Sequence, residues 1–352
     1  MTLISSRDLR QRLRELMPPE AFEPVPVRGL AAFATFGFAV SIAVAVVATD
    51  LWWPIDAALS IVIGLSIVST GLCAHEASHG AIFRSALMRQ LLVWVGFGPF
   101  LVTPGLWTAW HVRAHHRGTN QLKYDPDMLS GHDHFESMFA HRFRTNLFPG
   151  SGTLASWVAP AFLFTLEGQY FLWVATGRAP LAGNVKMSRP WLMLTSALWI
   201  AAWATLAFVL GPLDALWVLV LPLMVGNTIL MSYISTQHWI RPRVDADDPV
   251  ATTLSVEVPR WVDAMHYQFS YHQEHHLFPS MSCKWAPLLR EKVQQIDPNA
   301  VAALPWRTAM RAVFEAPVLY GDDRSLVDQR GRSRLDLDRL AGELSVPTRR
   351  RA

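Results

Sequence analysis

The sequence predicts an all-α integral membrane protein: four transmembrane helices in two hairpins, with a cytoplasmic helical cap that carries clusters of histidine. Three observations lead there. First, 51% of the 352 residues are hydrophobic, only 17% are charged, and mean hydropathy is +0.21, which is not the composition of a soluble chain. Second, four uncharged stretches of spanning length fall in two pairs. Third, the chain has 13 histidines, eight of them in three tight clusters beside those stretches.

Residues 1–28 form a short segment before the membrane domain, which is expected to cover 29–320. Its first hairpin pairs 29–49, 21 residues without a charge, with 57–74, 18 more; a bilayer core needs about 20. The link from Asp50 to Asp56 carries Trp52, Trp53 and Pro54, the composition of a short loop in an aromatic interface belt. A cleaved signal peptide is the competing reading of the first span, but its length exceeds the usual ~7–15 apolar residues and a second span follows at once. Two later apolar stretches, Leu91 to Trp110 and Leu154 to Ala175, are broken by Pro or Gly or carry Glu167. They read as interfacial or re-entrant helices. The second hairpin pairs 191–210 with 215–235 through Gly211, Pro212 and Asp214. From Gly321 to residue 352 the chain turns Arg/Asp-rich and is expected to be a mobile tail. No internal repeat is evident.

Of the 31 Lys and Arg, five precede the first span, ten lie between the hairpins, sixteen follow Ser235, and neither hairpin tip holds any. Basic residues collect in cytoplasmic loops, so both termini and the histidine clusters are expected in the cytoplasm. A formal net charge of +3 gives no reason to expect a nucleic-acid partner. Two cysteines, Cys73 and Cys283, exclude a disulfide framework and a thiolate zinc ribbon.

The first cluster, HEASH, sets His75 and His79 four residues apart, on one face of a helix continuing from the second span. The second, HVRAHH, holds His111, His115 and His116; the third, HQEHH, holds His272, His275 and His276. Both repeat the three- or four-residue step. Eight imidazoles exceed one tetrahedral zinc and fit two metal ions. His238, ending the fourth span in STQHW, is a ninth candidate; a histidine merely marking the interface is the alternative.

HxxxH, HxxxHH and HxxHH in this order, set on two transmembrane hairpins, resemble the integral-membrane fatty acid desaturase and hydroxylase superfamily, and HQEHHLFPSM is similar to its third box. The resemblance spans roughly residues 30 to 295. It implies that the eight box histidines bind two non-haem irons, with His238 matching a further family histidine, that O2 is activated there, and that a redox carrier supplies electrons. His272 is histidine rather than the Gln of the subgroup acting toward the carboxyl end, and no HPGG haem motif occurs. Electrons are therefore expected from a separate donor, a ferredoxin or a cytochrome with its reductase. The implied activity is oxidation of a long acyl chain, carried on a lipid or a thioester, by desaturation. A hydroxylase or ketolase acting on a carotenoid, alkane or lipid is the second reading, because one oxidant serves all three outcomes and placement of the carbon decides among them.

HEASH also satisfies HExxH, in which Glu76 would be the base of an intramembrane zinc protease, but that leaves six clustered histidines without purpose. A metal transporter would put ligands at mid-membrane depth. In the desaturase reading, Glu76, Asp125 and Asp127 orient ligand imidazoles by accepting their second N–H; a solvated helix residue and a DP turn are the plainer alternatives. His132, His134, His141 and His266 read as surface residues. Gly64 and Gly71, eleven and four residues before His75, leave a bare stripe suited to an acyl chain or to close helix packing. Asn227, eleven residues before His238, is either a substrate contact or an interhelical hydrogen bond.

Overall fold

The computed structural model describes residues 5–344 except 50, 129–130, 133–136, 179–180, 299 and 301. It is mostly helical, and among the described residues three helices are long and apolar enough to cross a membrane: Pro26–Ala48, Trp53–Ser78 and Arg189–Trp239.

An amphipathic helix α1 (Ser6–Leu16) begins where the Ser5 side chain accepts from the Asp8 amide. Proline in the first turn opens the next two, α2 (Pro26–Ala48) and α3 (Trp53–Ser78), where a missing N–H costs nothing. The 23 residues of α2 give about 35 Å at ~1.5 Å per residue, enough for the apolar core of a bilayer. Its outer face is open, whereas α3 is buried along nearly all of its second half.

The apolar stretches between the expected hairpins are bent, as their Pro and Gly content required. Ala86–Phe100, containing α4 (Ala86–Phe97), meets α5 (Pro104–His115) at 100°, and Ala155–Ala161 meets Leu163–Gly177 at 77°. Between these pairs lies α6 (Met138–Leu147); the second pair contains α7 (Leu163–Trp173).

The two later expected spans form one helical run. α8 (Arg189–Ala215) continues through a π-turn, Leu216–Val220, into α9 (Leu221–Ile234) and a second π-turn, Ser235–Trp239. Gly211, at φ 77° and ψ 170°, breaks the run. The chain must reverse there: Ser196 lies 3.2 Å from Thr103, beside the start of α5, and the His238 ring lies 4.7 Å from that of His115 at its end. A straight helix from Ser196 to His238 would instead span about 60 Å.

The cap comes next, with α10 (Arg260–Met265), α11 (His272–Leu277), α12 (Ala286–Ile296) and α13 (Trp306–Glu315). Two short strands, β1 (Ser255–Glu257) and β2 (Ala303–Pro305), pair in parallel. The stretch expected as a mobile tail is instead folded through Leu344, as antiparallel strands β3 (Leu319–Asp322), β4 (Ser325–Val327) and β5 (Arg334–Asp336) and helix α14 (Leu337–Leu344). Its Leu326 and Leu337 join the main core beside Tyr320, whose hydroxyl donates to the Arg241 carbonyl at 2.6 Å. A smaller core fastens α1 to α11 and α12 through Leu9, Leu13, Leu277, Leu289 and Val293.

Candidate metal centre

The C-terminal end of α3 supplies His75 and His79, the π-helical end of α5 supplies His111, His115 and His116, the π-turn after α9 supplies His238, and α11 supplies His272, His275 and His276. All nine predicted histidines converge. Ring nitrogens of His75, His79, His111, His116 and His275 lie within 4.8 Å of one another, as do those of His115, His238 and His276. His272 joins the second group, its Nε2 lying 2.7 Å from His238 Nε2 and 3.1 Å from His276 Nε2. In the first group His116 Nε2 lies 3.0 Å from His111 Nε2 and 3.3 Å from His275 Nε2.

The donor set fits two metal ions. The Nε2 atoms of His75, His79 and His115 are buried with no hydrogen-bond partner, a costly arrangement for isolated imidazoles and the one a cation satisfies. Burial, reinforced by neighbouring imidazoles, holds His116, His272, His275 and His276 far below the ordinary histidine range, and burial pushes His79 down to about 3. Neutral rings with free lone pairs at pH 7 are what ligation requires.

Asp125 and Asp127 lie beside the ring of His115. His115 Nδ1 lies 3.0 Å from Asp125 Oδ1 and 3.4 Å from Asp127 Oδ2. Asp125 is fixed in turn by the amides of Asn120 and Asp127, and Asp127 by the indole N–H of Trp110.

Other expectations are corrected. Glu76 faces away from the imidazoles: Oε2 accepts from Arg28 at 2.9 Å and Oε1 from the Cys283 amide at 3.1 Å. It neither orients a ring nor stands free as the base of an HExxH hydrolase. Gly64 and Gly71 line no channel. A Cβ at Gly64 would lie 2.7 Å from both the Pro222 carbonyl and Val225, and one at Gly71 would lie 3.2 Å from the Gly96 carbonyl, so both glycines let helices touch. Asn227 bridges helices: its Oδ1 accepts from the Thr165 amide at 2.9 Å and its Nδ2 donates to Thr165 Oγ1 at 3.2 Å. His266 is buried, not on the surface, with Nδ1 2.9 Å from the Tyr233 hydroxyl. The imidazole of His132 lies 3.3 Å from the Gln329 carbonyl, His141 is only partly exposed, and His134 falls outside the described residues.

Sequence reasoning missed Glu274, buried inside the third cluster, where it binds the Ser255 hydroxyl at 2.6 Å and the Arg290 guanidinium. A charge flanked by three histidines was its available signal. It also missed the aromatic wall. Trp107 stacks on His111 at 4.3 Å, and a cavity of about 30 Å³ opens beside the histidines between Leu72, Phe97, Trp107, Trp110, Phe164 and Phe269.

No curated protein matches the chain. The family model described as fatty acid desaturase matches residues 51–308, a region holding both imidazole groups and the aromatic cavity. The chain therefore belongs to the fatty acid desaturase family of oxidoreductases.

Proposed function

We propose that this chain is a membrane enzyme that uses two non-haem irons and O2 to desaturate a long acyl chain, presented on a lipid or a thioester, with electrons from a separate ferredoxin or cytochrome and its reductase. The observation that carries the reading is the convergence of nine imidazoles into two groups. His75, His79, His111, His116 and His275 would hold one iron, and His115, His238, His272 and His276 the other. When bound, the irons supply the oxidising power that no side chain has. Over one turnover O2 takes two electrons from the carrier, two protons, and two hydrogens from adjacent methylenes, leaving a double bond and two waters.

The chain's own residues position and shield that chemistry. The carboxylates of Asp125 and Asp127 accept from His115 Nδ1–H, which fixes the tautomer with the Nε2 lone pair facing its neighbours. Thr119 Oγ1, 3.3 Å from His276 Nδ1, does the same for that ring. Apolar and aromatic walls beside the histidines suit a hydrocarbon chain and keep water from the reacting carbon. Histidine clusters at helix ends on the Lys- and Arg-rich side support a cytoplasmic site where a soluble electron carrier docks.

The test is lipid profiling by mass spectrometry in a host expressing the protein with a ferredoxin system. New double bonds that vanish in His275→Ala are the expected result. Hydroxy or keto products move the assignment to the hydroxylase reading, and altered carotenoids with unchanged acyl chains refute the acyl substrate.

A further inference from the structure

The first 50 residues lie outside the matched region, yet one of them reaches between two histidine clusters. Arg28, in the first turn of α2, donates from Nη2 to Glu76 Oε2 at 2.9 Å and to the Tyr267 carbonyl at 2.8 Å, and from Nη1 to Gln268 Oε1 at 2.7 Å. Its guanidinium carbon also sits 5.1 Å from the Tyr267 ring centroid. Glu76 lies between His75 and His79, and its other oxygen takes the Cys283 amide. The turn before α11 and the loop after it are thus tied to the end of α3 through one ion pair.

That turn needs a tie. Tyr267 and Gln268 are consecutive non-glycine residues at φ 55° and 57°, in the left-handed region that side chains disfavour and that persists only when its surroundings enforce it. Gln268 precedes His272 by four residues, so the setting of this turn decides where the third cluster begins. Lysine cannot substitute, because a point charge can pair with Glu76 but cannot fork to three acceptors lying in different directions.

We propose that Arg28 is a positioning residue, holding the third cluster against the first so that His275 meets His75 and His79. The proposal rests on the reading that the clusters hold a metal pair. It bears most on the half that joins the first cluster to the third, where His275 meets His75 and His79; the other half follows the turn through His272 and His276 alone.

Full-length wild type, Arg28→Lys and Gln268→Ala are stripped of metal and titrated with Co(II), monitoring stoichiometry, the visible Co(II) spectrum, release to a chelator and the metal-free melting midpoint. Wild type is expected to take two ions. Each variant is expected to release one of the two ions roughly tenfold faster or more and the other to a lesser degree, with the metal-free midpoint little changed. Gln268→Ala removes only the one hydrogen bond and decides the matter if Arg28→Lys fails to fold. Wild-type release of both ions from both variants overturns the proposal, as does equal weakening of both ions with a lowered midpoint, the mark of a purely structural role. Fewer than two ions in wild type sinks the metal-pair reading itself.

Discussion

His115 owes its orientation to Asp125, a buried carboxylate whose two oxygens are both committed. Asp125→Asn keeps the shape but replaces an acceptor by an amide, and metal affinity should fall by about 10–100-fold in chelator competition. His266 carries a different consequence. Burial lowers its pKa to about 4, against ~6.5 in the unfolded chain, so between those values the unfolded state binds the extra proton and stability falls as pH drops. The full span amounts to roughly 3 kcal/mol from this ring. His266→Gln should therefore flatten the decline of the metal-free melting midpoint between pH 6.5 and 4, and an unchanged slope would place the titration elsewhere. The histidine clusters were legible because a repeated three- or four-residue spacing along a helix is a local property. The partners of Glu76 were not, since Arg28 lies 48 residues away and Cys283 lies 207.

At the level of elements, the sequence marked where side chains are missing but not what fills the space. Gly64 and Gly71 left a stripe that read equally as channel or seam, and only the arrival of Pro222, Val225 and Gly96 decides for the seam. Gly64→Val should drive α3 from α9 and lower stability by about 1–3 kcal/mol, measured as a shift in melting midpoint at constant detergent. Asn227→Ala should cost a similar ~1–3 kcal/mol by leaving the Thr165 amide unpaired, without changing the number of metals bound. Proline and glycine foretold the two bends, though not their angles of 100° and 77°.

For the whole molecule, orientation rests on the charge distribution. Trp52 and Trp53 at the first hairpin tip are largely exposed, and neither tip carries a basic residue. A cysteine introduced at Thr49 should react with an impermeant reagent in intact cells, and one at Gly321 only after permeabilisation; the reverse pattern would invert the topology. The reversal at Gly211 was readable from Gly-Pro in a short link with no basic residue. The folded stretch from β3 to α14 was not, because its strands are three or four residues long and draw their stability from the main core rather than from local propensity.

Two of the three segments that bring histidines together from the membrane side do so on π-helical turns, Thr108–His115 and Ser235–Trp239, and the His116 amide reaches back five residues to the His111 carbonyl. Such a turn holds one residue more than an α-turn. Chain length here is consequently as binding a constraint as residue identity. Inserting one alanine after Val112 exceeds what the turn can absorb and rotates the downstream residues by about 100°, carrying His115 and His116 off their partners although no histidine has been changed. One glycine inserted beside Gly152, where the surroundings are open, should leave the centre untouched. Among diverging copies of this chain, single-residue gaps should therefore accumulate in the surface loops and be purged from these two turns.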